Sequence, residues 1–196
     1  LVDNPRVSQY RLTAHLLLAV AIFAYMFWVA LDLYYGRRRK HFQPALRLGL
    51  PALILAFVTI GSGGLVAGMK AGLAYNTFPL MNGELIPSTW LAMEPVWINF
   101  FENLATVQFD HRVLAITTFT LIVLAWLFNR RHLPVGRART SLHLVALMAL
   151  VQVTLGISTL LLHVPIALAS AHQAGAILLL TLLLYHAHAA ASRPAD

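Results

Sequence analysis

Residues 142–185 read LHLVALMALVQVTLGISTLLLHVPIALASAHQAGAILLLTLLLY, two apolar runs that meet at His163-Val164-Pro165. Each run, 142–162 and 164–185, has the roughly 20 residues that an α-helix needs to cross a hydrocarbon core about 30 Å thick. So short a joint makes the two a helical hairpin. Three further runs of the same kind lie upstream, at 12–31, at 48–69 and around 113–128. The third reaches spanning length only if its helix starts near Leu104. With 59% hydrophobic and 11% charged residues, a chain of 196 residues carries more apolar surface than a soluble domain can bury; its mean hydropathy is +0.73. The sequence therefore predicts an all-α polytopic membrane protein of five transmembrane helices, the last four forming a four-helix bundle. There is no cysteine, which excludes disulfides, thiolate metal sites and iron–sulfur clusters built from this chain.

Basic residues set the orientation, since Lys and Arg gather in the short inner loops. Arg37, Arg38, Arg39, Lys40 and Arg47 lie between the first two spans, Arg130, Arg131, Arg137 and Arg139 between the third and fourth, and Arg193 follows the fifth. These are ten of fourteen basic residues, so that side is read as cytoplasm or mitochondrial matrix. The net charge of +7 is thus a topology signal and not a nucleic-acid surface. Residues 1–11 lack the basic, apolar and small-residue succession of a signal peptide. No Met opens the chain, and Asp3, Asn4 and Pro5 have loop composition directly before a full-length helix, so it is read as a piece of something longer. A weak repeat agrees: VSQYRLTAHL at 7–16 and VPIALASAHQ at 164–173 both place Val eight residues before a His that directly follows Ala. On that reading residues 1–47 are the last helix of a first bundle with its inner loop, and 48–196 are a complete second bundle.

The nine histidines sort by depth. His41, His132, His143, His186 and His188 fall in inner loops or helix ends and are expected to be solvated or snorkelling. His163 is expected at the outer interface. His15, His111 and His172 lie inside spans, where an ionisable side chain is costly and points to function. His111 and His172 fall at equal depth, roughly 10 Å from the outer ends of their helices. Two facing imidazoles at matched depth are what a haem standing between helices needs for its two axial positions. Ala169, Gly175 and Ala176, on the same helix face as His172, would leave room for a flat macrocycle. The run Gly61-Ser62-Gly63-Gly64, with Gly68 beyond it, permits close approach, and Gly64 with Gly68 reads equally well as a helix-packing pair. From the residues alone, haem ligation and satisfied core histidines both remain open.

The stretches GGLVAGMKAGLAYNTFPLMNGELIP at 63–87, NFFENLATVQFDHR at 99–112 and HQAGA at 172–176 closely resemble the haem A synthase family of bacterial inner membranes and mitochondria. The resemblance runs the length of the chain. It implies an eight-helix protein of two related bundles, of which this chain is similar to the last helix of the first and all of the second. It implies an enzyme that oxidises the ring D methyl of haem O to the formyl of haem A by successive hydroxylations with water as oxygen source, for cytochrome oxidase assembly. By the same resemblance His111 and His172 ligate a haem B cofactor in the second bundle, and His15 is a ligand on the haem O side. The acidic catalytic residue belongs to the first bundle, so the reaction centre is expected to be incomplete within these residues. Some family members carry an outer cysteine pair; this chain has none and resembles the cysteine-free branch. Implied partners are haem O and haem A, the bilayer, haem O synthase, oxidase assembly factors and a second copy of the protein. The implied membrane is the bacterial inner membrane or, in a eukaryote, that of the mitochondrion.

Other polar residues complete the reading. Arg112 and Lys70 are candidates for haem propionates, Arg by bidentate pairing, with headgroup anchoring as the other account. Gln108, at i−3 from His111, is a better candidate than Asp110 to hydrogen-bond the ligand's second nitrogen. Glu84, Glu94 and Glu102 read as solvated, Trp90, Trp97, Phe100 and Phe101 as an interfacial aromatic belt, and NTFPLMNG at 76–83 as a cap on the pocket. Besides the enzyme, two other classes fit: a non-catalytic bis-histidine cytochrome b and a haem-transfer assembly protein.

Overall fold

The computed structural model describes residues 8–36 and 46–191. Helices α1 (Gln9–Tyr35), α2 (Leu46–Met69), the short α3 (Asn99–Glu102), α4 (Leu104–Asn129), α5 (Arg137–Leu161) and α6 (Ile166–Ala191) follow one another, with two 3₁₀ turns in the long connection between α2 and α3. All but α3 supply a segment long and apolar enough to cross a membrane, and the chain is a multi-pass membrane protein. Among the basic residues read as topology signals, Arg37, Arg38, Arg39, Lys40 and Arg193, with the side chain of Arg47, lie outside the described residues, as do His41 and residues 3–5.

The helices outrun their apolar cores. α1 extends beyond 12–31 at both ends, α5 begins at Arg137 instead of 142, and α6 continues to Ala191 instead of 185. Hydropathy marks only the part of a helix that lies in hydrocarbon. Backbone hydrogen bonding carries the helix on through the interface, whatever the side chains. α4 does start at Leu104, because the Asn103 side chain caps it by accepting from the N–H of Ala105 and Thr106.

In cross-section α2, α4, α5 and α6 form a ring in which α2 packs along α4 and α5 along α6. The ring closes through α4 against α5 and α2 against α6, which leaves α4 and α6 facing each other across one diagonal. Ala52 and Ala56, Ile122, Val145 and Ala149, with Leu179 and Leu183, fill the centre from all four helices.

α1 lies outside the ring against α2 and α6. It comes very close to α2. A methyl placed on Gly61 would stand 3.1 Å from Leu17, one on Gly64 would stand 2.9 Å from the Thr13 hydroxyl, and one on Gly68 would stand 2.7 Å from the Gln9 Cα. Gly64 and Gly68 are therefore the packing seam between α1 and α2, held by backbone proximity in place of hydrophobic partition. Val20 of α1 buries against Leu180 and Leu184 of α6 on the other flank.

Buried asparagines fasten the outer connection. Asn99, 0% exposed, accepts from Met93 N at 2.9 Å and donates to the carbonyls of Met93 and Val96 at 2.7 and 2.9 Å. Asn103 donates to Thr89 O at 2.8 Å, and Thr106 accepts from Leu91 N at 3.1 Å. Trp90, Trp97, Phe100 and Phe101 are exposed beside them, in keeping with an interfacial belt.

Candidate functional site

His111 stands seven residues beyond the start of α4 and His172 six beyond the start of α6. Measured from those helix starts, which the basic-residue reading makes the outer ends, the imidazoles lie at roughly 10 and 9 Å along the helix axes, on the bundle's diagonal.

Each ring is held from a neighbouring helix. Ser62 of α2 has its oxygen 2.7 Å from His111 Nδ1, while its own hydroxyl donates to Thr59 O at 2.8 Å. With the Ser62 proton on Thr59 O, Nδ1 carries the ring proton and donates to Ser62, the arrangement that leaves Nε2 as the lone-pair nitrogen. Adjacent Gly63 lies against the ring, since a methyl there would be 3.3 Å from His111 Cε1. On the other side Gln152 of α5 donates through Nε2 to His172 Nδ1 at 3.1 Å and to His172 O at 2.8 Å. Gly156, one turn on, lies against that ring, since a methyl there would be 2.9 Å from His172 Cε1. Two helix pairs thus repeat one design, with the histidine on one helix and a polar group and a glycine on the next.

The remaining sequence candidates are placed as follows. Gln108 is buried, but it donates to Tyr75 O at 2.9 Å, so the second-nitrogen partner expected of it is Ser62 instead. At i−3 Gln108 sits a turn nearer the outer end and reaches the outer connection. Arg112 donates to Tyr75 O at 3.0 Å and to the carbonyls of Pro79 and Leu80 at 3.4 Å each. Between them Gln108 and Arg112 pin segment 75–80 over the outer end of α4. Arg112 Nε and Gln108 Oε1 are buried without a hydrogen-bond partner among the described residues. Lys70 is exposed in the turn after α2, in left-handed conformation at φ 55°. His15 is exposed on α1, on a face away from the pair. Asp110 is bonded to Trp90. Gly175 does not open a macrocycle space as expected; it admits the Gln152 amide and Met148 against α6.

His163 is exposed in the α5–α6 turn, and His132 and His143 are exposed near the inner end. His186 and His188 depart from the expectation of solvation, being 2% and 4% exposed. His186 Nδ1 lies 3.1 Å from Ala138 O and 3.0 Å from Ser141 Oγ. His188 Nε2 is 3.1 Å from Asp32 of α1 and packs edge-on to Trp28. Both are covered because α1 and α5 close over the inner end of α6, a tertiary effect that position within one helix does not reveal.

The pair fits a haem on three observations: a serine oxygen beside His111 Nδ1 that can hold the ring proton away from Nε2, glycines whose missing Cβ would fill the space beside both rings, and a buried Arg112 Nε, unpartnered among the described residues, of the kind a propionate would engage. Sequence reasoning missed Ser62, Gln152 and Gly156. The signal available for Gln152 was a lone amide in an apolar span.

Over 192 residues the chain is 54% identical to a Heme A synthase of Nitrosospira multiformis, covering 96% of this chain and 54% of the relative. It is 45% identical over 193 residues to Heme A synthase COX15 of Arabidopsis thaliana, covering 95% and 42%, and 44% identical over 185 residues to that of Mus musculus, covering 91% and 44%. The chain spans about half the length of the curated relatives it matches. The sequence profile described as cytochrome oxidase assembly protein, COX15-CtaA, matches residues 1–184, and the chain belongs to that family.

Proposed function

We propose that these residues are the haem B-binding half of a haem A synthase, in which His111 and His172 are the two axial ligands. The observation that carries the reading is the placement of the two imidazoles on the diagonal helices α4 and α6 at equal depth, in a chain whose relatives are named Heme A synthase. Haem B held there supplies one-electron transfer, because two histidine ligands leave its iron no vacant position for substrate or water.

The chain's own residues do the rest. Ser62 keeps His111 in the tautomer that offers Nε2. Gly63 and Gly156 clear the space beside the rings. Arg112 and Lys70 face the outer side, where propionates would emerge, and Gln108 with Arg112 holds the outer connection as the cover of the site. Each hydroxylation of the haem O methyl with oxygen from water releases an electron pair, which must leave the substrate side. His15 on α1, turned away from the second bundle, is the ligand assigned to that side, and α1 with residues 1–47 closes the first bundle while 48–196 forms the second. The protein works in a bacterial inner membrane, or its mitochondrial counterpart, and takes haem O from haem O synthase.

The test is the haem content of the full-length protein, by pyridine haemochrome and chromatography of extracted haems. Haem A accumulating beside haem B supports the enzyme. Haem B alone, in cells that supply haem O, would make it an electron carrier.

A further inference from the structure

We propose that Ser62 and Gln152 are the positioning residues of the two imidazoles and that they are inequivalent: Ser62 presets His111 for iron, whereas Gln152 has to turn its amide before His172 can bind. The inference rests on the reading of His111 and His172 as haem ligands.

For His111 the argument is proton counting. When Ser62 gives its proton to Thr59 O at 2.8 Å it accepts from Nδ1 at 2.7 Å. Thr59 in turn gives its hydroxyl proton to Leu55 O at 2.7 Å. Nε2 is then free to donate its lone pair, and the Nδ1–H···O bond raises the ring's basicity.

For His172 the pattern is reversed. Gln152 Nε2 is a donor only, so at 3.1 Å it meets Nδ1 as an acceptor, which places the ring proton on Nε2, the nitrogen iron would need. Meanwhile Gln152 Oε1 is buried without a hydrogen-bond partner among the described residues. Rotation of the side chain to present Oε1 to Nδ1 moves the ring proton from Nε2 to Nδ1, gives the oxygen its partner and leaves the ring's Nε2 available, at the expense of the amide's bond to His172 O. No net proton is gained or lost. The partner gained by the buried Oε1 and the iron bond at Nε2 offset that lost bond, so the rearranged amide belongs to the haem-loaded state.

The two roles separate in the haem-loaded, full-length protein. In that state both Ser62 and Gln152 accept from an Nδ1–H, and loss of either bond weakens the ring as a donor and favours ferrous iron. Ser62→Ala and Gln152→Met should therefore each raise the haem B midpoint potential, alter the low-spin electron paramagnetic resonance spectrum that reports ring orientation, and weaken haem retention by about 10–100-fold. Ser62→Thr, which keeps the hydroxyl, should restore the wild-type values. Should Ser62→Ala not accumulate, Ser62→Cys gives the same readout at preserved volume. A Gln152→Met protein with unchanged potential and spectrum would remove Gln152 from the site, and one with a lowered potential would show that its amide still donates. An unchanged Ser62→Ala protein would remove Ser62. If His111→Ala itself retained the bis-histidine spectrum, the ligand reading would fall and this inference with it; loss of the spectrum in His111→Ala beside unchanged Ser62 and Gln152 variants would overturn the inference alone.

Discussion

Asp32 near the end of α1 and His188 near the end of α6 meet at 3.1 Å, although 156 residues separate them. Tyr35 and Tyr185 add an O···O contact of 3.2 Å beside them, and the Arg137 guanidinium lies 3.5 Å over the Tyr35 ring. α1 is therefore tied to α6 and α5 at its inner end, just as its outer half is seated on the glycines of α2.

Asp32→Ala should destabilise the protein by about 1–3 kcal/mol, the usual cost of losing one partner of a buried hydrogen bond. Thermal unfolding in detergent would measure it. An unchanged midpoint would mean that the contact contributes nothing, while haem content should stay near wild type in either case.

His111→Ala and His172→Ala should each abolish the low-spin haem B spectrum of the full-length protein, since each removes one axial ligand. His163→Ala, exposed in the outer turn, should leave it nearly intact. A loss in His163→Ala equal to that in His172→Ala would make His163 the ligand.

Two glycine substitutions should fail in different ways. In Gly68→Ala the new methyl meets the Gln9 backbone at 2.7 Å and pushes α1 from α2, at about 1–3 kcal/mol of stability with the haem site intact. In Gly156→Ala it meets the His172 ring at 2.9 Å and should lower haem occupancy with less effect on unfolding. Unfolding curves set beside haem-to-protein ratios test the pair, and identical behaviour would contradict the separate faces assigned to α2 and α5.

A reporter fused after Arg39 or after Arg137 should behave as cytoplasmic, and one within residues 82–94 as external. The opposite pattern would put the His111–His172 level near the inner face and reverse the orientation assigned to the bundle.

What could be read without the structure followed from one-dimensional signals. Five apolar runs gave the spans, and the equal distance of His111 and His172 from the helix starts gave their depth. Ser62 lay within a run whose glycines drew attention to packing, and nothing local distinguishes the glycine that faces His111 from those that face α1. Gln152 depends on the rotation of α5 against α6, which hydropathy does not encode. His186 and His188 were misjudged because their cover comes from Asp32 and Trp28 of α1 and from Ser141 of α5, distant in sequence. Gln108 had suitable spacing on the helix, yet one turn of rise carried its amide to Tyr75.

Seating α1 on glycines at one end and clasping it at the other has a kinetic meaning. A helix so fastened can tilt or slide against the bundle only by breaking contacts at its ends, which opposes change in the separation between the face bearing His15 and the His111–His172 pair. Tunnelling rates depend steeply on separation. Charge passing between groups on the two sides of α1 would therefore meet a barrier whose width those contacts help to hold.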